Sequence, residues 1–203
     1  MYLTAVLFCV SLIAAAGSAK EKKECQLEAK DQVAWEVVKA LERQTFYLFK
    51  STNAQSPNCS YMRVNETKEK DHTATLVVRS GGEWNETSAA TVVGKDNHLN
   101  MTLEEDGASE VLGSYPVWYT DNVTCVVLVD PEENEIVLWV AGNTTTDASF
   151  DECCTNIFER EANNTNGTIY ERFPASCPLY KASDVEEIED IDSSTSSTTS
   201  TSS

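Results

Sequence analysis

Seven cysteines, two histidines and 33 acidic residues are the groups in this 203-residue chain that could carry chemistry. Cys9 sits in an uncharged apolar leader; the other six are Cys25, Cys59, Cys125, Cys153, Cys154 and Cys177. An even set in an exported chain reads as three disulfides. Cys153 and Cys154 are neighbours and cannot bond each other without severe strain, so pairings that join them fall away and several others stay open. On a helix the two side chains diverge by about 100°, so the adjacent pair can serve two different partners and act as a staple point. A metal site would need Cys-x-x-Cys spacing or more imidazoles than His72 and His98 supply, so no metal and no cofactor is expected. The acids outweigh 15 Lys and Arg to leave a net charge of −18, which argues against nucleic acid and against an anionic membrane surface. There is no Gly-x-Ser-x-Gly, His-Glu-x-x-His or phosphate loop, and Glu132-Glu133 reads as a solvated hairpin tip. Binding without turnover is expected, not an enzyme.

The elements that must position these residues follow from periodicity. Asp31 is placed to cap a helix, after which Ala34, Val37, Val38 and Leu41 recur at helical spacing with Trp35 at the edge of the stripe. The period then changes. Short β-branched and aromatic runs occur at 45–50, 59–64, 73–79, 88–93, 99–103, 110–119, 124–129 and 135–140. Ser80-Gly81-Gly82, Gly94 to Asn97, Asp106-Gly107 and Asp130-Pro131 break them with turn residues. Eight short antiparallel strands with tight links predict a closed barrel or a sandwich, and an up-and-down barrel of that size has room for one small ligand. A second helix is expected over 150–161, with Ser149 and Glu152 as a capping box, laid on the barrel and stapled there by the cysteine pair.

Both termini read as separate pieces. Residues 1–19 carry no charge and end in Gly17-Ser18-Ala19, the small-x-small form of a cleaved secretory signal; the domain then spans 20–183. Asn-x-Ser/Thr occurs at Asn58, Asn65, Asn85, Asn100, Asn122, Asn143, Asn163 and Asn166, against about two expected from composition, so a secreted glycoprotein is expected. Residues 184–203 form an acidic and then Ser/Thr-only tail that cannot bury enough apolar area to order itself.

Several stretches together resemble the tick salivary lipocalins, the family that includes the histamine-binding proteins. They are the helix at 31–41 with Trp35, the strand from Tyr115 through Tyr119-Thr120-Asp121 to Cys125, Val137-Leu138-Trp139-Val140, the Cys153-Cys154 helix and the closing Cys177. The resemblance covers about residues 25–180. It implies a mainly β fold: an eight-stranded antiparallel lipocalin barrel with an N-terminal and a C-terminal helix. It also implies three disulfides, Cys25–Cys153, Cys59–Cys177 and Cys125–Cys154.

The resemblance further implies a ligand site, and here the chain departs from it. Amine-binding members carry Asp directly after the strand cysteine and Glu directly before Leu-Trp; the matching positions here are Val126 and Val137. Alternation puts Leu128 with Val126 and Trp139 with Val137. Tyr47, Phe49, Leu76, Val78 and Trp118 are further candidates for the wall. An unpartnered buried ammonium costs several kcal/mol, whereas each buried CH₂ gains about 0.8 kcal/mol. The expected small-molecule ligand is therefore apolar or amphipathic: a fatty acid, a leukotriene or a sterol. Inward acids elsewhere, such as Asp121, Glu110 or Glu104, would restore binding of a biogenic amine (histamine or serotonin). The remaining expectation is a barrel that serves only as scaffold for binding a host immune protein.

Overall fold

The structure, a computed structural model, describes residue 25 and residues 27–79, 87–105, 108–142 and 150–180. The expected signal, the tail, and the sequons Asn85 and Asn143 lie outside the described residues. Eight strands rich in β-branched and aromatic residues pair antiparallel in chain order: β1 Phe46–Ser51, β2 Tyr61–Lys68, β3 Thr73–Arg79, β4 Thr87–Lys95, β5 His98–Glu105, β6 Ala108–Thr120, β7 Cys125–Asp130 and β8 Glu135–Ala141. β1 pairs with both β2 and β8, so the sheet closes on itself as a barrel. A two-residue β9, Tyr170–Glu171, adds to the outside of β1.

Helix α1 (Ala34–Arg43) plugs one end. Its stripe of Ala34, Val37, Val38 and Leu41 is buried as the spacing requires. It joins Phe46, Val64, Leu76, Val92, Leu99, Val117 and Val126 in one interior cluster. Asp31 does not cap it. The carboxylate lies in a single 3-10 turn, Ala29–Gln32, and Val33 occupies the cap position. The amide of Ala34 instead donates to the Asp96 carbonyl in the β4–β5 turn at 3.0 Å, so the barrel itself satisfies that helix end. Contact is close there. A Cβ on Gly94 would sit 3.0 Å from both N and Cα of Trp35.

Helix α2 (Glu152–Asn164) covers the outer face of β6–β8. Asp151, not Ser149, is its N-cap, accepting from the Cys153 amide at 2.9 Å. Cys153, Cys154, Ile157 and Phe158 pack on Tyr119, Cys125, Val127, Ile136, Leu138 and Val140. β7 is therefore buried on both sides, which explains its unbroken apolar run Cys125 to Val129. The disulfides are Cys25–Cys153, Cys59–Cys177 and Cys125–Cys154, so the adjacent pair ties α2 both to the N-terminal segment and to β7. Among the described residues no helix is long and apolar enough to cross a membrane.

Because the backbone of α1 rests on Gly94, Gly94→Val must push the helix off the barrel end. Urea unfolding is expected to show a loss of about 2 kcal/mol; unchanged stability would mean that the contact is not tight.

Candidate functional site

The barrel interior divides by depth. Near α1 it is filled, and Val126 there is fully buried within the cluster. Towards the opposite, open end lies a cavity of about 190 Å³. Its wall is Met62 from β2, Leu76 and Val78 from β3, Met101 from β5, Tyr115 from β6, Leu128 and Asp130 from β7, and Glu135, Val137 and Trp139 from β8. Five expected wall residues, Leu76, Val78, Leu128, Val137 and Trp139, are thus brought together around one space. A larger depression of about 670 Å³ beside Trp35, His72 and Asp96 lies at the plugged end and does not reach these residues.

Three expected wall residues lie elsewhere. Tyr47 faces outward: its ring is 4.6 Å from that of Phe173, and its hydroxyl accepts from the Tyr180 amide at 2.6 Å. Phe49 packs on Phe150 at the outer surface, 5.6 Å between ring centres. Trp118 joins the same outer cluster, and its carbonyl accepts from Gln32 Nε2 at 3.1 Å. The cause is local. In β1, Phe46 and Leu48 face inward, opposite Ala141 and Trp139, so alternation sends Tyr47 and Phe49 outward; a bulge between Leu48 and Lys50 then turns Ser51 inward. In β6, Tyr115 and Val117 face inward, so Trp118 faces outward, and a bulge between Val117 and Tyr119 places Tyr119 on the outer side as well.

The rim of the cavity is acidic. β7 and β8 pair in the register Val126↔Trp139, Leu128↔Val137, Asp130↔Glu135, so the last pair on the inward face is two carboxylates directly opposed. Each has one oxygen engaged by the chain. Asp130 Oδ1 accepts from the amides of Glu132 and Glu133, which shapes the β7–β8 turn. Glu135 Oε1 accepts from the hydroxyls of Ser51 and Ser56. In the sequence the segment has the look of a solvated hairpin tip. The signal that would have found the pair is simple alternation, four residues on from Val126 and two back from Val137. The acids proposed as substitutes do not line the cavity: Asp121 bonds the amides of Val123, Thr124 and Cys125 in its own turn, and Glu110 is exposed. The side chain of Glu104 lies outside the described residues.

Tyr115 joins wall to rim. Gly113, at φ +149°, carries no side chain to obstruct the ring, and the hydroxyl donates to the Leu112 carbonyl at 3.2 Å. Burial, and then the negative charges of Asp130, Glu132, Glu133 and Glu135, push its ionisation above the usual tyrosine range. Tyr119 and Tyr47 are also raised, mainly by burial, with the Asp151 carboxylate adding to the effect on Tyr119.

A profile of the tick histamine binding protein family matches residues 22–178. The chain belongs to that family. Solved structures are similar to it in fold. The AM182 serotonin complex aligns with 21% identity and a TM-score of 0.63 over 77% of this chain and 99% of that one. Japanin from Rhipicephalus appendiculatus, bound to cholesterol, aligns with 19% identity and a TM-score of 0.46 over 68% and 97%. Apocrustacyanin C2 aligns with 13% identity and a TM-score of 0.47 over 76% and 91%. A search of curated proteins by sequence returned no significant match. The protein is thus a lipocalin of the small-ligand-binding type.

The raised tyrosines set a pH dependence. Free tyrosine ionises near pH 10, so above about pH 10 the unfolded chain loses protons that the folded chain keeps. Their stabilising contribution is fully present below that pH and is lost as the pH rises through the folded values. Phenolate absorbance should show Tyr47, Tyr115 and Tyr119 ionising after the others, with stability to urea falling as the pH rises above about 10. A single titration of every tyrosine near 10 would contradict it.

Proposed function

We propose that this is a secreted, N-glycosylated salivary lipocalin that sequesters a small amphipathic cation, an arylalkylamine, and so removes a host mediator at the bite site without turning it over. The observation that carries the reading is the opposed pair Asp130 and Glu135 at the mouth of an otherwise apolar cavity. Like charges directly opposite in a sheet are destabilising, and a cation between them reverses the sign of that interaction. The apolar part of the ligand would lie against Leu76, Leu128, Val137 and Trp139 with its ammonium at the rim.

Size supports the same choice. A cavity of about 150 Å³ takes one benzene ring, while drug-sized ligands occupy about 300 Å³ or more. At about 190 Å³ this one suits a ring with a short chain better than the long acyl chain or sterol that the apolar wall first suggests. A fatty acid would in addition bring its carboxylate towards two of like charge. The serotonin of the AM182 complex is a molecule of the favoured kind.

Secretion is supported by the uncharged N-terminal run and by the three disulfides. Asn58, Asn65, Asn163 and Asn166 are exposed, as glycan acceptors must be, and Asn100 and Asn122 are partly so.

Titration calorimetry with serotonin, histamine, arachidonate and cholesterol tests the reading. Serotonin is expected to bind saturably at one site, and Asp130→Asn or Glu135→Gln to weaken it by about tenfold or more. Saturable binding of arachidonate or cholesterol, with none of either amine, would overturn it.

A further inference from the structure

The β1–β2 loop, residues 52–60, makes a set of contacts that neither the barrel nor the proposed ligand requires. Ser51, at its start, is fully buried and on the inward side of β1, opposite Val137. Its hydroxyl accepts from the Asn53 amide at 2.8 Å and donates to Glu135 Oε1 at 2.5 Å. Ser56, within the loop, donates to the same oxygen. Two hydroxyls therefore converge on one carboxylate oxygen of a cavity-lining residue, and among the described residues no donor bonds its other oxygen, Oε2. Hydrogen bonds to an ionised acceptor are roughly twice as strong as neutral ones, so turning the carboxylate away would break two of the stronger kind.

The loop is itself held from outside. Asn53 Nδ2 donates to Glu133 at 2.5 Å. Arg172 lies on the segment that crosses the outer wall, and donates to the Asn53 carbonyl and, at 3.4 Å, to Asn58 Oδ1. The Cys59–Cys177 disulfide closes the far side.

We propose that the β1–β2 loop aims Glu135: Ser51 and Ser56 are positioning residues that occupy Oε1 and thereby present Oε2 to the cationic end of the ligand. This deepens the amine reading above and rests on it. Orienting the acceptor before the ligand arrives removes an ordering cost from binding, and the gain is specific to the charged end. A ligand of the same shape without charge would not feel it.

The test compares tryptamine with its neutral isostere 3-propylindole, using the full-length secreted protein and the variants Ser56→Ala and Ser56→Thr. Ser56→Ala is expected to weaken tryptamine by between about three- and tenfold while leaving 3-propylindole within about twofold. Ser56→Thr, which keeps the hydroxyl, should restore tryptamine binding. Equal losses on both probes would make the loop merely structural and overturn the proposal, as would full retention of tryptamine binding by Ser56→Ala. If the wild-type protein binds both probes equally well, charge recognition itself falls, and this inference with it. If the wild type prefers tryptamine and Ser56→Ala keeps that preference, only the role of the loop is lost.

Discussion

Two carboxylates held face to face at the end of an apolar wall are the arrangement on which the rest of the molecule turns. Asp130 and Glu135 are register partners on the inward side of β7 and β8. Neither is at liberty to swing out and relieve the repulsion. One oxygen of Asp130 is bonded to the amides of its own turn, and one oxygen of Glu135 to two serine hydroxyls. Like charges placed directly opposite in a sheet repel, and the proposed cation between them would turn that interaction favourable.

The remainder of the chain makes that placement possible. The apolar pattern of β7 does not set its register, because the strand is apolar and covered on both faces, by the interior cluster with α1 on one side and by α2 on the other. Its two ends do: the disulfide at Cys125 and the polar Asp130 at the turn. Cys125–Cys154 fixes α2 to the start of β7, and Cys59–Cys177 fixes the outer C-terminal segment to the loop at the open end. The plugged end supplies the converse. Ala34, Val37, Val38 and Leu41 fill the barrel around Val126, which leaves the cavity on the acidic side.

Much of this was legible in the residues. Hydrophobic periodicity places all eight strands and the buried stripe of α1, and the resemblance to the tick lipocalins implies the three disulfides that the structure contains. Alternation failed at Tyr47, Phe49 and Trp118 for one reason: β1 and the end of β6 carry apolar side chains on both faces, so the pattern gives the period without the phase. The helix start escaped because its orphan amide is satisfied by a carbonyl 62 residues away in sequence, at Asp96, and no local cap signal exists for that. Asp130 and Glu135 were masked by Pro131 and the acids around them, which made a rim look like an ordinary solvated turn.

The most direct measurement is a crystal structure of the secreted protein grown with serotonin. The account predicts the indole between Trp139 and Leu128, with the ammonium nitrogen within hydrogen-bonding distance of Asp130 and of Glu135 Oε2. An ammonium seated at the plugged end near Val126, or an interior left empty with serotonin bound on the outer surface, would contradict it.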